Sequence, residues 1–280
     1  MSGVERFAAM GTRVELHLFG ATGSDALAVA RRAIEAVDDA LTIHRPSATT
    51  ALNASLMAGR SHAVDDPLLL AALIEIEAAH ALTLGLFDPA ADAARPGAGW
   101  NAIRVDRDAA RIEAARPLAL DFGGFGKGFA LDQACDALRA AGVASAFLVA
   151  GESSIAVMGE HPLGGGWPVA IPDPLAPDQS LVELELRDAA LSISSTLGAG
   201  AEAPGRAPMI RPNDGSCVTA ARTAIAIDRR GSRAEMLSTA LLVADAGQAM
   251  RLIAEAPAHR FLFNFSRTAA AVVQPREVVA

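Results

Sequence analysis

A strand-to-helix junction carrying four glycines in six residues is the feature that most limits what this chain can fold into. In Leu120–Ala134 (LDFGGFGKGFALDQA) an apolar strand pattern ends at Asp121, glycines fall at 123, 124, 126 and 128, and a helical pattern begins near Lys127. Glycine lets the backbone approach another group closely and take positive φ values. The helix that follows presents free N–H groups and a partial positive charge to an anion, to which Lys127 adds a full charge. The pattern is neither a Walker A run nor the G-x-G-x-x-G dinucleotide fingerprint. On these grounds the segment reads either as a phosphate-binding junction or as a tight turn beside a solvated lysine.

The elements around the junction predict an α+β fold. Arg13–Phe19 alternates as a strand, and Ala26–Leu41 places Leu27, Ala30, Ile34, Val37 and Leu41 near one helical face. A short helix over Ala51–Met57 and a longer one over Asp66–Leu84 follow, the second with Pro67 where a helix start tolerates proline. Phe87–Gly99 is loop-like, and Ala102–Asp106 and Arg111–Ala114 are short strands. After the junction, Phe129–Ala141 is a helix ended by Gly142. Strands are expected at Ser145–Val149, Ser154–Met158, Trp167–Ile171, Ser180–Leu186, Ala190–Ser194 and Thr223–Asp228. Gly198–Gly215 is irregular, Arg233–Val243 and Ala246–Ala254 are helical, and Arg260–Asn264 and Thr268–Val273 are strands. Strands come in runs with helices between the runs, which favours mixed sheets with packed helices over a doubly wound parallel sheet. With no internal repeat and no separable linker, residues 1–280 are expected to form a single domain, or two intertwined lobes.

Composition narrows the function. A chain that is 51% hydrophobic and 20% charged is not disordered. A net charge of −8 supplies no basic excess for displacing counterions from nucleic acid, though an isolated basic pocket for a small anion is compatible with it. The most apolar stretch, Leu68–Ala79, is short of the ~18 residues of a membrane span and carries Glu75 and Glu77. MSGVERFAAMGTR has no basic n-region followed by an apolar run, and Cys135 and Cys217 lack metal-type spacing and read as buried thiols. A cytoplasmic, reduced protein without a membrane or nucleic-acid partner is expected.

Leu120–Ala134 resembles the signature of the ApbE-type FAD:protein FMN transferases, D-L-G-G-I-A-K-G-Y-A-V-D before a helix. The likeness extends along the chain. Ala9-Met10-Gly11-Thr12 is similar to the family's A-M-G-T, and His44-Arg45-Pro46 through Leu52-Asn53 to its Y-R-P-x-S-x-x-S-x-L-N. Leu86-Phe87-Asp88-Pro89 is similar to A-F-D, and Gly166–Ile171 to the W-x-V-x-I strand. The matches run in family order from about Met10 to Leu242. The resemblance implies a T-fold-related architecture, with FAD contacts at Met10, His44, Leu86, Phe87, Asp88, Asp121, Lys127 and Ile210. It also implies a divalent cation, Mg²⁺, held by a backbone carbonyl near Gly124 and by Glu235 and Thr239, which stand i,i+4 on one helix face. Taken singly these residues have plainer readings: Met10 as core packing, Asp88 as a turn former, His44 as a loop residue, Glu235 and Thr239 as an ordinary helix face, and Asp132 as a solvated helix acid.

The chain departs from the family where catalysis is expected. The family's H-I-I-D-P-x-T-G reads Pro208-Met209-Ile210-Arg211-Pro212-Asn213-Asp214-Gly215, so its histidine is Pro208 and its aspartate Arg211. The metal-binding aspartate is Glu235, and a second acidic position on that helix is Ser238. Proline supplies neither a base nor charge stabilisation, Arg211 is expected to reach phosphate oxygens, and no catalytic residue is assigned. Three functions stay open: a Mg²⁺-dependent transferase that moves FMN from FAD to a Ser/Thr hydroxyl of an acceptor flavoprotein, a non-catalytic FAD-binding store or regulator, and an interaction module without flavin.

Overall fold

The computed structural model describes residues 3–20, 25–92, 94, 96–97, 99–197 and 209–265. Strands β1 (Gly3–Ala9) and β2 (Thr12–Phe19) open the chain, followed by helices α1 (Asp25–Leu41) and α2 (Ala48–Met57), the short β3 (His62–Ala63) and α3 (Pro67–Leu82). Strands β4 (Ile103–Asp106) and β5 (Arg111–Ala114) precede α4 (Gly126–Ala140), β6 (Ser145–Ala150), β7 (Ser154–Met158), β8 (Trp167–Asp173), β9 (Ala176–Leu186) and β10 (Ala190–Ser195). Strand β11 (Ala221–Asp228), helices α5 (Gly231–Val243) and α6 (Ala246–Glu255), and β12 (Arg260–Phe265) complete the described chain. The expected mixed α and β architecture is observed; the expected strand Thr268–Val273 lies outside the described residues, as does most of Gly198–Gly215.

Seven strands form one antiparallel sheet in the order β1-β2-β6-β7-β10-β11-β12. Both of its faces are covered, which strand alternation makes possible. Leu16, Ala146, Leu148 and Ala224 point to one side and join the helices in the larger core, while Val157, Leu191, Ile225 and Phe263 point to the other. There the β8–β9 ribbon supplies Trp167, Val169, Ile171 and Leu186 to a second core. A separate three-stranded sheet, β3-β5-β4, stands beside these. Among the described residues no helix is long and apolar enough to cross a membrane.

Two of the differences from the sequence reading have local causes. Helix α2 starts at Ala48 rather than Ala51 because Ser47 and Thr50 form a reciprocal capping box. Strand β1 was not expected, since its apolar residues do not alternate with its faces and Val4 is exposed. Its conformation is set by pairing with β2 across the two-residue turn Met10–Gly11, in which both residues have positive φ (54° and 66°). That is the backbone a two-residue hairpin favours, and it costs Met10 some strain that Gly11 does not feel.

Helix α4 packs against both α1 and α5. At the α4–α5 contact two glycines meet: a Cβ on Gly128 would lie 2.1 Å from the Gly231 carbonyl oxygen, and one on Gly231 would lie 2.7 Å from the Gly128 oxygen. Here it is space rather than φ that demands glycine. G128A is therefore expected to push the helices apart and lower unfolding free energy by about 1–3 kcal/mol, the usual range for overpacking. Urea denaturation checks it, and an unchanged midpoint would mean that the contact is soft.

Candidate functional site

The glycine segment is tethered on its N-terminal side, at Leu120 and Asp121. The side-chain amide of Asn53, on α2, donates to the Leu120 carbonyl and accepts from the Leu120 N–H, both at 2.8 Å. The Asp121 N–H donates to the Pro89 carbonyl at 2.8 Å, tying the segment to Leu86–Pro89. Asp121 is exposed, and its Oδ1 accepts from Gly123 N at 2.9 Å, closing a small side-chain turn. Asp88 acts in a similar way on its own loop: its carboxylate accepts from Ala90 N at 2.8 Å and from Trp100 N at 2.9 and 3.0 Å. The turn-former reading of Asp88 is thus observed, and the same residue lines the cavity described below. Helix α4 then begins with no side chain capping its N-terminus; the Phe125 and Gly126 N–H groups donate to the Phe122 carbonyl, and Lys127 of its first turn lines the cavity, where the positive end of the helix adds to its charge.

Helix α5 is positioned from α4. Its N-terminus has no side-chain cap of its own; instead Asp132 of α4 accepts from Gly231 N at 2.7 Å and from Ser232 N at 2.9 Å. Arg230 lies 3.4 Å from Asp132 and 2.8 Å from Asp136, and the Ser232 hydroxyl donates to Glu75 of α3 at 2.7 Å. Asp132 is 3% exposed, which corrects its reading as a solvated helix acid: it caps a neighbouring helix.

Lys127, Glu235 and Thr239 line one cavity of about 490 Å³, with Asp88, Asp121 and Gly124 also on its wall. Lys127 Nζ lies 3.0 Å from Glu235 Oε1, which also accepts from the Ser154 hydroxyl at 2.5 Å. Glu235 is 2% exposed, and its Oε2 is buried without a hydrogen-bond partner among the described residues. Such an orphaned oxygen is costly unless something joins it. Thr239 Oγ1 is 3.1 Å from where a Gly124 Cβ would stand, so helix α5 and the glycine loop nearly touch. On the sheet side the Ser238 hydroxyl is hydrogen-bonded to Ser192 at 3.0 Å and to Ser194 at 2.9 Å, so the position that is acidic in the family is here part of a neutral hydroxyl wall.

These groups suit a small hard cation. Oε2 of Glu235, the Thr239 hydroxyl and a glycine-loop carbonyl are all oxygen donors of the kind Mg²⁺ takes. Among the described residues no three His, Cys, Asp or Glu side chains gather as a metal site, so a cation held here would draw its remaining ligands from water or from a bound anion, as Mg²⁺ often does.

The other expected contacts divide. Leu86, Phe87 and Ile210 line the cavity; Ile210 does so from an isolated β-bridge to Cys217. Met10 lies on an adjoining cavity of about 620 Å³ that shares Lys127 and Ser153 with the first. Its methyl carbon packs at the start of α4, 2.8 Å from where a Gly126 Cβ would stand. His44 is exposed in the loop between α1 and α2 and lines neither cavity. Arg211 does not line either cavity; its guanidinium donates to the Val243 carbonyl at the end of α5 (3.1 Å) and to the Ser216 hydroxyl (3.1 Å). Cys135 is buried, and burial pushes its thiol up to about 12, but Cys217 is exposed, contrary to the buried reading. Pro208 lies outside the described residues.

Ser238 was singled out in the sequence, but its meeting with Ser192 and Ser194, and that of Ser154 with Glu235, were not, since three separate elements bring these side chains together. Lys127, by contrast, had a signal: of the 24 lysine and arginine residues it is the only lysine.

The chain matches the ApbE family over residues 90–263. The chain belongs to the ApbE family. An FAD:protein FMN transferase of Rhodobacter capsulatus is 32% identical over 197 residues, which is 61% of this chain but 37% of that protein. Solved ApbE structures share the fold. The flavin transferase ApbE of Vibrio cholerae superposes with a TM-score of 0.79 over 96% of this chain and 94% of its own, at 18% identity. The flavinyl transferase ApbE of Pseudomonas stutzeri does so with a TM-score of 0.78 over 98% and 94%, at 21% identity. The ApbE protein of Thermotoga maritima gives 0.79 over 99% and 97%, at 17%.

In this ApbE-family chain the cap on α5 is also a titrating group. Burial pushes the Asp132 carboxyl up to about 6, against the pull of Arg230 and the two backbone donors. The folded state therefore holds the proton more tightly than the unfolded chain, whose Asp titrates near ~3.9. The resulting stabilisation is full below that value and is lost as pH rises through about 6. The melting temperature of wild type minus that of D132N is expected to be largest near ~pH 4 and to shrink toward ~pH 7. A difference that grows with pH would mean that the hydrogen bonds and Arg230 outweigh burial.

Proposed function

We propose that this chain binds FAD and Mg²⁺ in the cavity between the Asp121–Lys127 segment and α5, and transfers FMN from FAD to a Ser/Thr hydroxyl of an acceptor flavoprotein. The observation that carries the reading is the meeting of a buried carboxylate with an unsatisfied oxygen, a lysine and an uncapped helix N-terminus at one cavity wall. That combination suits a pyrophosphate with its counter-cation rather than an apolar ligand. The family membership and the relative from Rhodobacter capsulatus support the choice of FAD and of FMN transfer.

In this mechanism the acceptor hydroxyl oxygen attacks the phosphorus on the flavin side of the FAD pyrophosphate, the bond to the bridging oxygen breaks, and AMP leaves. A bound Mg²⁺ would supply charge neutralisation at the phosphate oxygens. Glu235, Thr239 and a carbonyl near Gly124 would hold it. Lys127 and the N-terminus of α4 stabilise charge on the phosphoryl oxygens. Of the carboxylates on the cavity wall, Asp88 is engaged by backbone N–H groups and Glu235 by Lys127 and Ser154. Asp121, whose Oδ1 alone accepts a backbone hydrogen bond, is then the residue placed to receive the hydroxyl proton.

A second reading, an FAD-holding protein that does not turn over, is favoured by one observation: Pro208 stands where the family has its histidine. Incubation with FAD, Mg²⁺ and a candidate acceptor, followed by measurement of AMP, separates the two. Transfer predicts AMP release that E235A lowers by about 10²-fold or more. FAD binding with no AMP, even from P208H, would leave only the holding function.

A further inference from the structure

Glu235 sets an electrostatic problem that Lys127 answers. A carboxylate 2% exposed needs a partner of opposite charge, and Lys127 Nζ at 3.0 Å is that partner. A divalent cation taking Oε2 as a ligand would bring a second, larger positive charge to the same carboxylate, a few ångströms from the ammonium. In a half-closed site that repulsion is only weakly screened. The metal and the ammonium therefore compete for Glu235 unless an anion arrives to take one of them.

The residue type fits such an exchange. Lys127 is the only lysine among 24 basic residues, so the chain uses arginine at every other basic position. Arginine holds a carboxylate through a rigid two-pronged fork, whereas lysine is a compact charge on a flexible stem. The Lys127 side chain is 22% exposed and borders both cavities. It has room to leave Glu235 for a phosphate without a rearrangement of the backbone.

Resting on the function proposed above, we propose that Lys127 is an exchangeable countercharge. It neutralises Glu235 and gives it up to the metal only as the dinucleotide pyrophosphate takes the ammonium, so that metal and dinucleotide enter as a coupled pair. Lys127 is thus a gate on metal entry as well as an anion ligand.

The single lysine makes the test direct. Protein labelled with [¹³Cε]-lysine gives one lysine side-chain resonance. It is expected to stay nearly in place with Mg²⁺ alone and to move when Mg²⁺ is added together with inorganic pyrophosphate or FAD. In calorimetry, K127M is expected to bind Mn²⁺ alone about tenfold more tightly than wild type, and to bind FAD without metal more weakly. These opposite signs are what a merely structural role would not give. A resonance that is the same in every state, or a K127M variant that loses affinity for both ligands alike, would overturn the proposal. Should K127M not fold, the wild-type resonance decides alone. If wild type binds neither FAD nor pyrophosphate in the presence of Mg²⁺, the functional reading falls. Tighter Mn²⁺ binding by K127M would then still support the competition for Glu235.

Discussion

The contact of α4 with α5 through Gly128 and Gly231 is the constraint on which the site depends. Two helices whose backbones touch have no freedom to slide, because any side chain at the crossing would collide with the opposite backbone. Lys127 sits one residue before that crossing and Glu235 four residues after it, on the other helix. Their 3.0 Å separation is therefore a consequence of backbone geometry rather than of two long side chains finding each other. Asp132 fixes the same pair of helices a turn further along α4, by supplying the cap that α5 lacks. The fourth glycine of the segment, which as a sequence suggests phosphate binding, belongs to helix packing. Only Gly123 and Gly124 line the cavity.

What could be read from the sequence was what is local. The amphipathic helix over Ala26–Leu41 and the strands flanking Gly151–Ser153 follow from periodicity, and the glycine junction announces itself by composition. The strand at Gly3–Ala9 could not be read, because the partner imposes it through a hairpin turn and its own faces are mixed. Asp132 was misread for a related reason. At its position an acid on a helix is usually solvated, and nothing nearby in sequence says that the N-terminus of another helix, about a hundred residues on, ends against it. The partners of Arg211 could not be read either, since the Val243 carbonyl at the end of α5 lies 32 residues away in sequence.

The substitution of Glu for the family's Asp at 235 changes what the site is tied to. With its extra methylene the carboxylate reaches the Ser154 hydroxyl of β7 and the Lys127 ammonium of α4 with the same oxygen, and still leaves the other oxygen unsatisfied. One side chain of α5 thus joins the sheet and the glycine-segment helix at the cavity wall. The Ser238 hydroxyl, three residues further along the same helix, continues that join to Ser192 and Ser194 of β10.

Neutral hydroxyls in place of a second acid have an electrostatic consequence. Two carboxylates on one helix at this depth would need two compensating charges, and the described cavity wall has one lysine. With Ser238 uncharged, Glu235 and Lys127 balance without a metal, and the site can be folded and desolvated before any ligand arrives. The unsatisfied Oε2 keeps the balance from being complete. On the reading proposed above, it gives an incoming cation a reason to enter, while Lys127 sets the condition that an anion must come with it. Binding selectivity would then come from a charge count at one buried carboxylate, with the shape of the cavity only deciding which polyanion can meet that condition.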